Sequence, residues 1–150
     1  NRASECDCAN STIVLRPNDP LSFTSPGWPR HYCDSLRCVV TYIAPEHHHI
    51  EIKLGVISLE PERDRIAFFD GTNITGHHTE LITGVETMDQ PISSVGVIMT
   101  AVFVSNSVVA YDGFNGTIMA VMDRTWADHL KHHVSVWWWT LPVLLLIIAA

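Results

Sequence analysis

The sequence has no run of basic residues. Its nine lysines and arginines are spread thinly through 150 positions against sixteen aspartates and glutamates, for a net charge of -7 with histidine neutral. An electrostatic footprint for nucleic acid or for anionic lipid headgroups is therefore lacking. Also absent are a Gly-x-Ser-x-Gly elbow, a His-Glu-x-x-His pair, a phosphate loop and a dinucleotide glycine pattern, which leaves the common hydrolase, kinase and dehydrogenase readings without support. His77 and His78 with Asp70 and a nearby serine can be drawn as a triad, but any β domain with nine histidines offers such triples, and no catalytic residue is assigned. Neither a methionine nor an apolar leader stands at Asn1, as expected after removal of a signal peptide.

Charge is missing altogether from residues 134–150, a run headed by Trp137, Trp138 and Trp139. A bilayer-crossing helix needs roughly 20 apolar residues, so this run reads as a transmembrane segment that is expected to continue beyond residue 150. Indole rings favour the headgroup boundary, so the three tryptophans mark a membrane interface. A buried C-terminal element and a cleaved GPI signal are the alternatives. Sequons at Asn10, Asn73 and Asn115 accept glycans only in the secretory lumen, which predicts a single-pass type I glycoprotein of the plasma membrane or another secretory-pathway membrane.

About 120 residues precede the connector to the span, enough for one core and not two. We delimit a domain over 1–122, a juxtamembrane connector over 123–133 and the span over 134–150. The four cysteines, Cys6, Cys8, Cys33 and Cys38, are spaced poorly for zinc and predict two disulfides in an oxidising compartment. Three pairings are open; if the N-terminal arm lies antiparallel to the segment before Val39, the nested pairs Cys6–Cys38 and Cys8–Cys33 are favoured.

Ile50, Ile52 and Leu54 alternate with Glu51 and Lys53, and Ile66 and Phe68 repeat the pattern. Val95 to Val104 is apolar on both faces and predicts a central strand. Gly116 to Met122 predicts a last strand. Turn signals at Ser25-Pro26-Gly27, Asp70-Gly71, Gly76, Asp112-Gly113 and Asn115-Gly116 separate such runs. With no ten-residue helical pattern between them, the strands imply an all-β, antiparallel sandwich.

Several segments together resemble a known family. They are Phe23-Thr24-Ser25-Pro26-Gly27-Trp28-Pro29 with Tyr32, Cys38 with the strand through Pro45, Asp64-Arg65-Ile66-Ala67-Phe68-Phe69-Asp70-Gly71, Leu81 with Gly84, Val102 to Asn106, and Gly113-Phe114. In order and spacing this is similar to the CUB domain, an extracellular jelly-roll β-sandwich. Most of the match consists of folding residues: Pro26 and Pro29 stiffen a turn that leaves Trp28 to pack inward, and Phe114 is expected to plug one end of the core.

Two departures matter. Many CUB domains have a second disulfide whose first cysteine lies just before position 64; here Glu60-Pro61-Glu62-Arg63 has none. Cys33 stands where the family often has proline, so the resemblance implies that Cys6 or Cys8 pairs with it. A subset of the family also binds calcium through an acidic cluster that docks a basic side chain of a partner. Carried over residue by residue, Asp64 matches, Glu60 approximates the upstream glutamate, and Asn106 replaces an aspartate. The resemblance therefore implies a weakened calcium site at Glu60, Asp64 and Asn106, since calcium takes six to eight oxygens and gains affinity with negative charge. No other cofactor is expected.

His47-His48-His49 falls in a hairpin loop, where neighbouring side chains diverge, and His129, His132 and His133 share a helical face. Both read as solvated surface, with protonation near pH 6 as a source of pH sensitivity. Trp126, Leu130 and Val134, four apart, predict a helix that begins near Thr125 and runs into the span. Such a rod would hold the domain close to the membrane, a geometry suited to lateral contact with another membrane protein. The expected function is non-catalytic extracellular protein recognition, as an accessory subunit of a receptor, channel or other membrane complex. A stand-alone adhesion or ligand-binding receptor is the alternative.

Overall fold

In the computed structural model, which describes residues 6–8, 10–108 and 110–132, the alternating segments become two packed sheets. The strands in chain order are β1 (Ser11–Val14), β2 (Leu21–Thr24), β3 (Arg37–Ile43), β4 (His48–Ser58), β5 (Arg65–Asp70), β6 (Glu80–Ile82), β7 (Val85–Glu86), β8 (Ile92–Ser93), β9 (Ile98–Val104) and β10 (Gly113–Met122). One sheet runs β1-β3-β9-β5-β6; the other runs β2-β10-β4-β7, with β8 also paired to β4.

The core lies between the inner faces. Ile50, Ile52 and Leu54 of β4 are buried as the alternation predicts, facing Ile66 and Phe68 of β5 and Met99, Ala101 and Phe103 of β9. Phase changes past Leu54, because Gly55 is an extra residue: Asn115 pairs with Val56 but Gly116 with Leu54. The bulge lets Ile57 and Leu59 re-enter the core after an interval of three instead of two. Gly116 sits where a Cβ would strike the Lys53 carbonyl oxygen, so the bulge needs glycine there. Phe114 packs as expected, with ring centroids 5.3 Å from Phe23 and 5.4 Å from Phe103. Trp28 is half-buried.

The strand expected over Val95–Val104 begins only at Ile98. Val95 is 89% exposed and lies in a turn closed by Asp70, which accepts its N–H at 2.8 Å. From Ile98 onward both faces are covered, since β9 is flanked by β3 and β5 and packs Val102 outward against Ala67 and Phe69. Strand β10 starts three residues before the expected Gly116.

The nested disulfides are wrong. Cys6 bonds Cys33 and Cys8 bonds Cys38, with Cα–Cα distances of 5.6 and 5.2 Å. The reason is direction: β1 pairs with β3 in parallel, Ser11 beside Val40 and Val14 beside Ile43. An arm entering parallel to its neighbour meets the cysteines in the same order, whereas nesting requires antiparallel entry. This pairing is also the exception to the otherwise antiparallel ladders among the described strands.

A helix, α1, covers 124–132 and begins one residue before the expected Thr125. Asp123 joins it to β10: its N–H donates to the His47 carbonyl at 2.9 Å, and its own carbonyl accepts from Ala127 N–H at 3.0 Å. The expected span over 134–150, with Trp137, Trp138 and Trp139, lies outside the described residues. Among the described residues no helix is long and apolar enough to cross a membrane.

Candidate functional site

The three residues read as calcium ligands come together at one end of the sandwich. Asp64 opens β5, Asn106 follows β9, and Glu60 follows β4 in a turn closed by Asp64 N–H donating to the Glu60 carbonyl at 3.1 Å. Thr83 braces that turn, its hydroxyl donating to the Asp64 carbonyl at 2.6 Å and accepting from Glu62 N–H at 2.9 Å. Asp64 is fully buried.

Burying a carboxylate demands donors on it. Tyr32 O–H donates to Asp64 Oδ2, and Asn106 N–H donates to Oδ1 at 2.8 Å. The Tyr32 oxygen also accepts from Glu60 N–H at 3.2 Å. Burial first, then the hydrogen bond to Asp64, pushes the Tyr32 phenol well above its ordinary pKa of 10.0, so it is held as a donor. The Asn106 amide closes the ring: its Nδ2 donates to Glu60 Oε2 at 2.7 Å, while its Oδ1 accepts from Val108 N–H at 3.0 Å.

This arrangement does not fit a resident calcium ion. A cation site presents oxygens that still lack a positive partner. Here the contact between Glu60 and residue 106 is a donor on an acceptor, and both oxygens of Asp64 already hold donors. Glu60, Asp64 and Asn106 thus lie together but are mutually satisfied, and asparagine in place of aspartate is what allows it.

The other expected positions separate. Asn10 and Asn73 are exposed, the latter with its Oδ1 accepting from Thr75 Oγ1 at 2.7 Å. Asn115 is half-buried in β10, between Thr24 and Val56. The three histidines diverge as expected, but only His47 lies in the loop: His48 and His49 open β4, paired with Met122 and Val121, and not all three are solvated. His48 is only 7% exposed, with Nδ1 on the Glu46 carbonyl at 2.8 Å and Nε2 without a partner. His49 lies between Asp123, at 2.8 Å from Nδ1, and Glu51, at 3.3 Å from Nε2. His47 stacks on Trp126 of α1 with centroids 3.8 Å apart and planes 9° from parallel. No group of three or more histidine, cysteine or acidic side chains is poised for a metal among the described residues, and His133 lies outside them.

The sequence model of the CUB domain matches residues 11–117, from the first residue of β1 to the middle of β10. This chain belongs to the CUB domain family. Rat cubilin is 30% identical over 109 residues, covering 70% of this chain and 3% of cubilin, and human neuropilin-1 is 31% identical over 114 residues, covering 69% of this chain and 12% of neuropilin-1. Among solved structures, the full extracellular region of zebrafish Gpr126/Adgrg6 superposes with a TM-score of 0.65 at 25% identity, over 77% of this chain and 15% of that one. The chain thus spans a small fraction of the length of these relatives. Within the CUB frame, the residues that sequence reasoning missed are Tyr32 as the donor to Asp64, and Trp126 as the partner of His47. The tyrosine was visible in the resemblance, but nothing local tied it to a carboxylate 32 residues away.

Proposed function

We propose that this CUB domain is a non-catalytic extracellular recognition module, carried on a membrane by the apolar run 134–150, that serves as an accessory subunit of a receptor, channel or other membrane complex. Its partner is another membrane or extracellular protein. The observation that carries the reading is the fastening of α1 to the sandwich. Asp123 binds both the His47 backbone and the His49 side chain, and Trp126 covers the His47 ring. A domain fixed to the helix that leads toward the apolar run presents the same faces to a neighbour in the membrane at all times, which lowers the ordering cost of lateral association.

Two disulfides and exposed sequons at Asn10 and Asn73 fit a lumenal or cell-surface setting. The Asn106 amide leads us to propose further that recognition by this domain is independent of calcium. Affinity purification of the full chain from detergent-solubilised membranes tests the accessory role. An integral membrane protein recovered at fixed stoichiometry is expected, and recovery of the chain alone would favour a receptor acting by itself.

A further inference from the structure

The outward face of the β3-β9-β5 layer is built unlike an ordinary solvated sheet surface. Cross-strand partners share a face, so the register reads out its rows directly. Arg37 and Arg65 flank Val104 on either side, and the next row is Val39, Val102, Ala67 and Leu81. Ala67, Phe69 and Val102 form an apolar cluster of their own, separate from the core, with Ile74 of the following loop packed on it. The face keeps a cleft of about 200 Å³ whose rim is the arginine pair.

Both arginines are exposed, and neither has an acidic partner among the described residues. They stand one strand either side of β9, about 10 Å apart at the Cα atoms. In a chain of net charge -7, two guanidinium groups over an apolar strip form a local positive site that no acidic side chain among the described residues neutralises.

We propose that this face docks an extended acidic-aliphatic segment of a partner protein. A carboxylate of the segment lies between Arg37 and Arg65, and the adjacent aliphatic side chain lies over the half-buried Val39. Guanidinium groups suit carboxylates because they donate in a planar fork. The half-buried Val39 and Val104 select a peptide over a sulfated glycan, which would use the charges and leave them uncovered. The inference rests on the recognition reading above and specifies which face and what chemistry.

The test uses the full chain in detergent with three probes: a capped Val-Glu-Val-Glu-Val peptide, its glutamine counterpart and a heparin hexasaccharide. Amide NMR shifts confined to residues 37–41, 65–69 and 100–104 are expected with the acidic peptide, with about tenfold weaker binding for the glutamine form and for the R37Q/R65Q chain. Unchanged thermal midpoints would show that the variant is folded. Heparin binding lost in that variant without peptide binding would overturn the proposal, as would absence of any shift on this face. A membrane partner that co-purifies equally with R37Q/R65Q would reject this face and leave the accessory reading standing; no partner with the unsubstituted chain would reject the accessory reading itself.

Discussion

The two ends of this sandwich are closed by opposite uses of polar chemistry. At the end where β9 runs out, a buried carboxylate is saturated by the Tyr32 hydroxyl and the Asn106 N–H, and the Asn106 side chain in turn ties down Glu60. At the other end, where β10 passes into α1, half-exposed His49 bridges two carboxylates, and His47 covers Trp126. The first end has little left to offer a ligand and acts as a rivet. The second holds the joint between the sandwich and α1 partly through His49, whose charge depends on protonation, so position and conditions both matter there. Polarity at a loop is thus no guide to function until its partners are counted.

The sharpest way to break the contrast is to loosen the riveted end. Removing the staple with C8A/C38A opens a loop of sequence separation 30, and should cost about 3 kcal/mol in denaturant unfolding through restored freedom of the unfolded chain. Peptide mapping should recover Cys6 with Cys33 and Cys8 with Cys38; nested bridges would contradict the parallel entry of β1. Next in size, D64A leaves the Tyr32 hydroxyl and the Asn106 N–H buried without an acceptor, at a cost of about 2–3 kcal/mol by the same assay. A loss below 0.5 kcal/mol, roughly the level of an unimportant surface change, would show that the network contributes little.

A smaller but more diagnostic effect is expected of N106D. It replaces the donor on Glu60 with a third carboxylate, so the variant should lose stability in chelator and regain it in millimolar calcium, while the unsubstituted chain shows no calcium-dependent change in thermal midpoint. Equal calcium stabilisation of both chains would refute the satisfied-network account. The smallest effect belongs to the other end. Burial lowers the pKa of His49, but its hydrogen bonds to Asp123 and Glu51 outweigh burial and raise it above the ordinary 6.5. A raised pKa in the folded state stabilises below the unfolded value and fades as pH climbs through the folded one. H49Q should therefore lower the thermal midpoint near pH 5.5 and make no difference near pH 8.5, with a span worth less than about 1 kcal/mol for so exposed a pair. The reverse dependence on pH would mean that the joint is not held by charged His49.

How much of this was legible in the sequence depended on whether the signal was local. The alternation of Ile50, Ile52 and Leu54 and the doubly apolar β9 are written in adjacent residues, and the sandwich followed from them. The direction of β1 was not, because four residues with an exposed edge carry no pattern that separates parallel from antiparallel pairing, and the disulfide order depended on it. Glu60, Asp64 and Asn106 were located by motif, but their state was hidden: Asn106 reaches Glu60 across 46 residues and Asp64 across 42. The stacking of His47 on Trp126 was likewise invisible, since each segment alone reads as solvated surface.

Recognition of a membrane protein by this CUB domain, as proposed, needs no metal at the acidic end. The most direct measurement is affinity purification of the full chain from solubilised membranes, in parallel with calcium and with chelator. An integral membrane partner present at the same stoichiometry in both conditions is predicted. A partner that is lost in chelator, or a chain recovered alone in both, would contradict it.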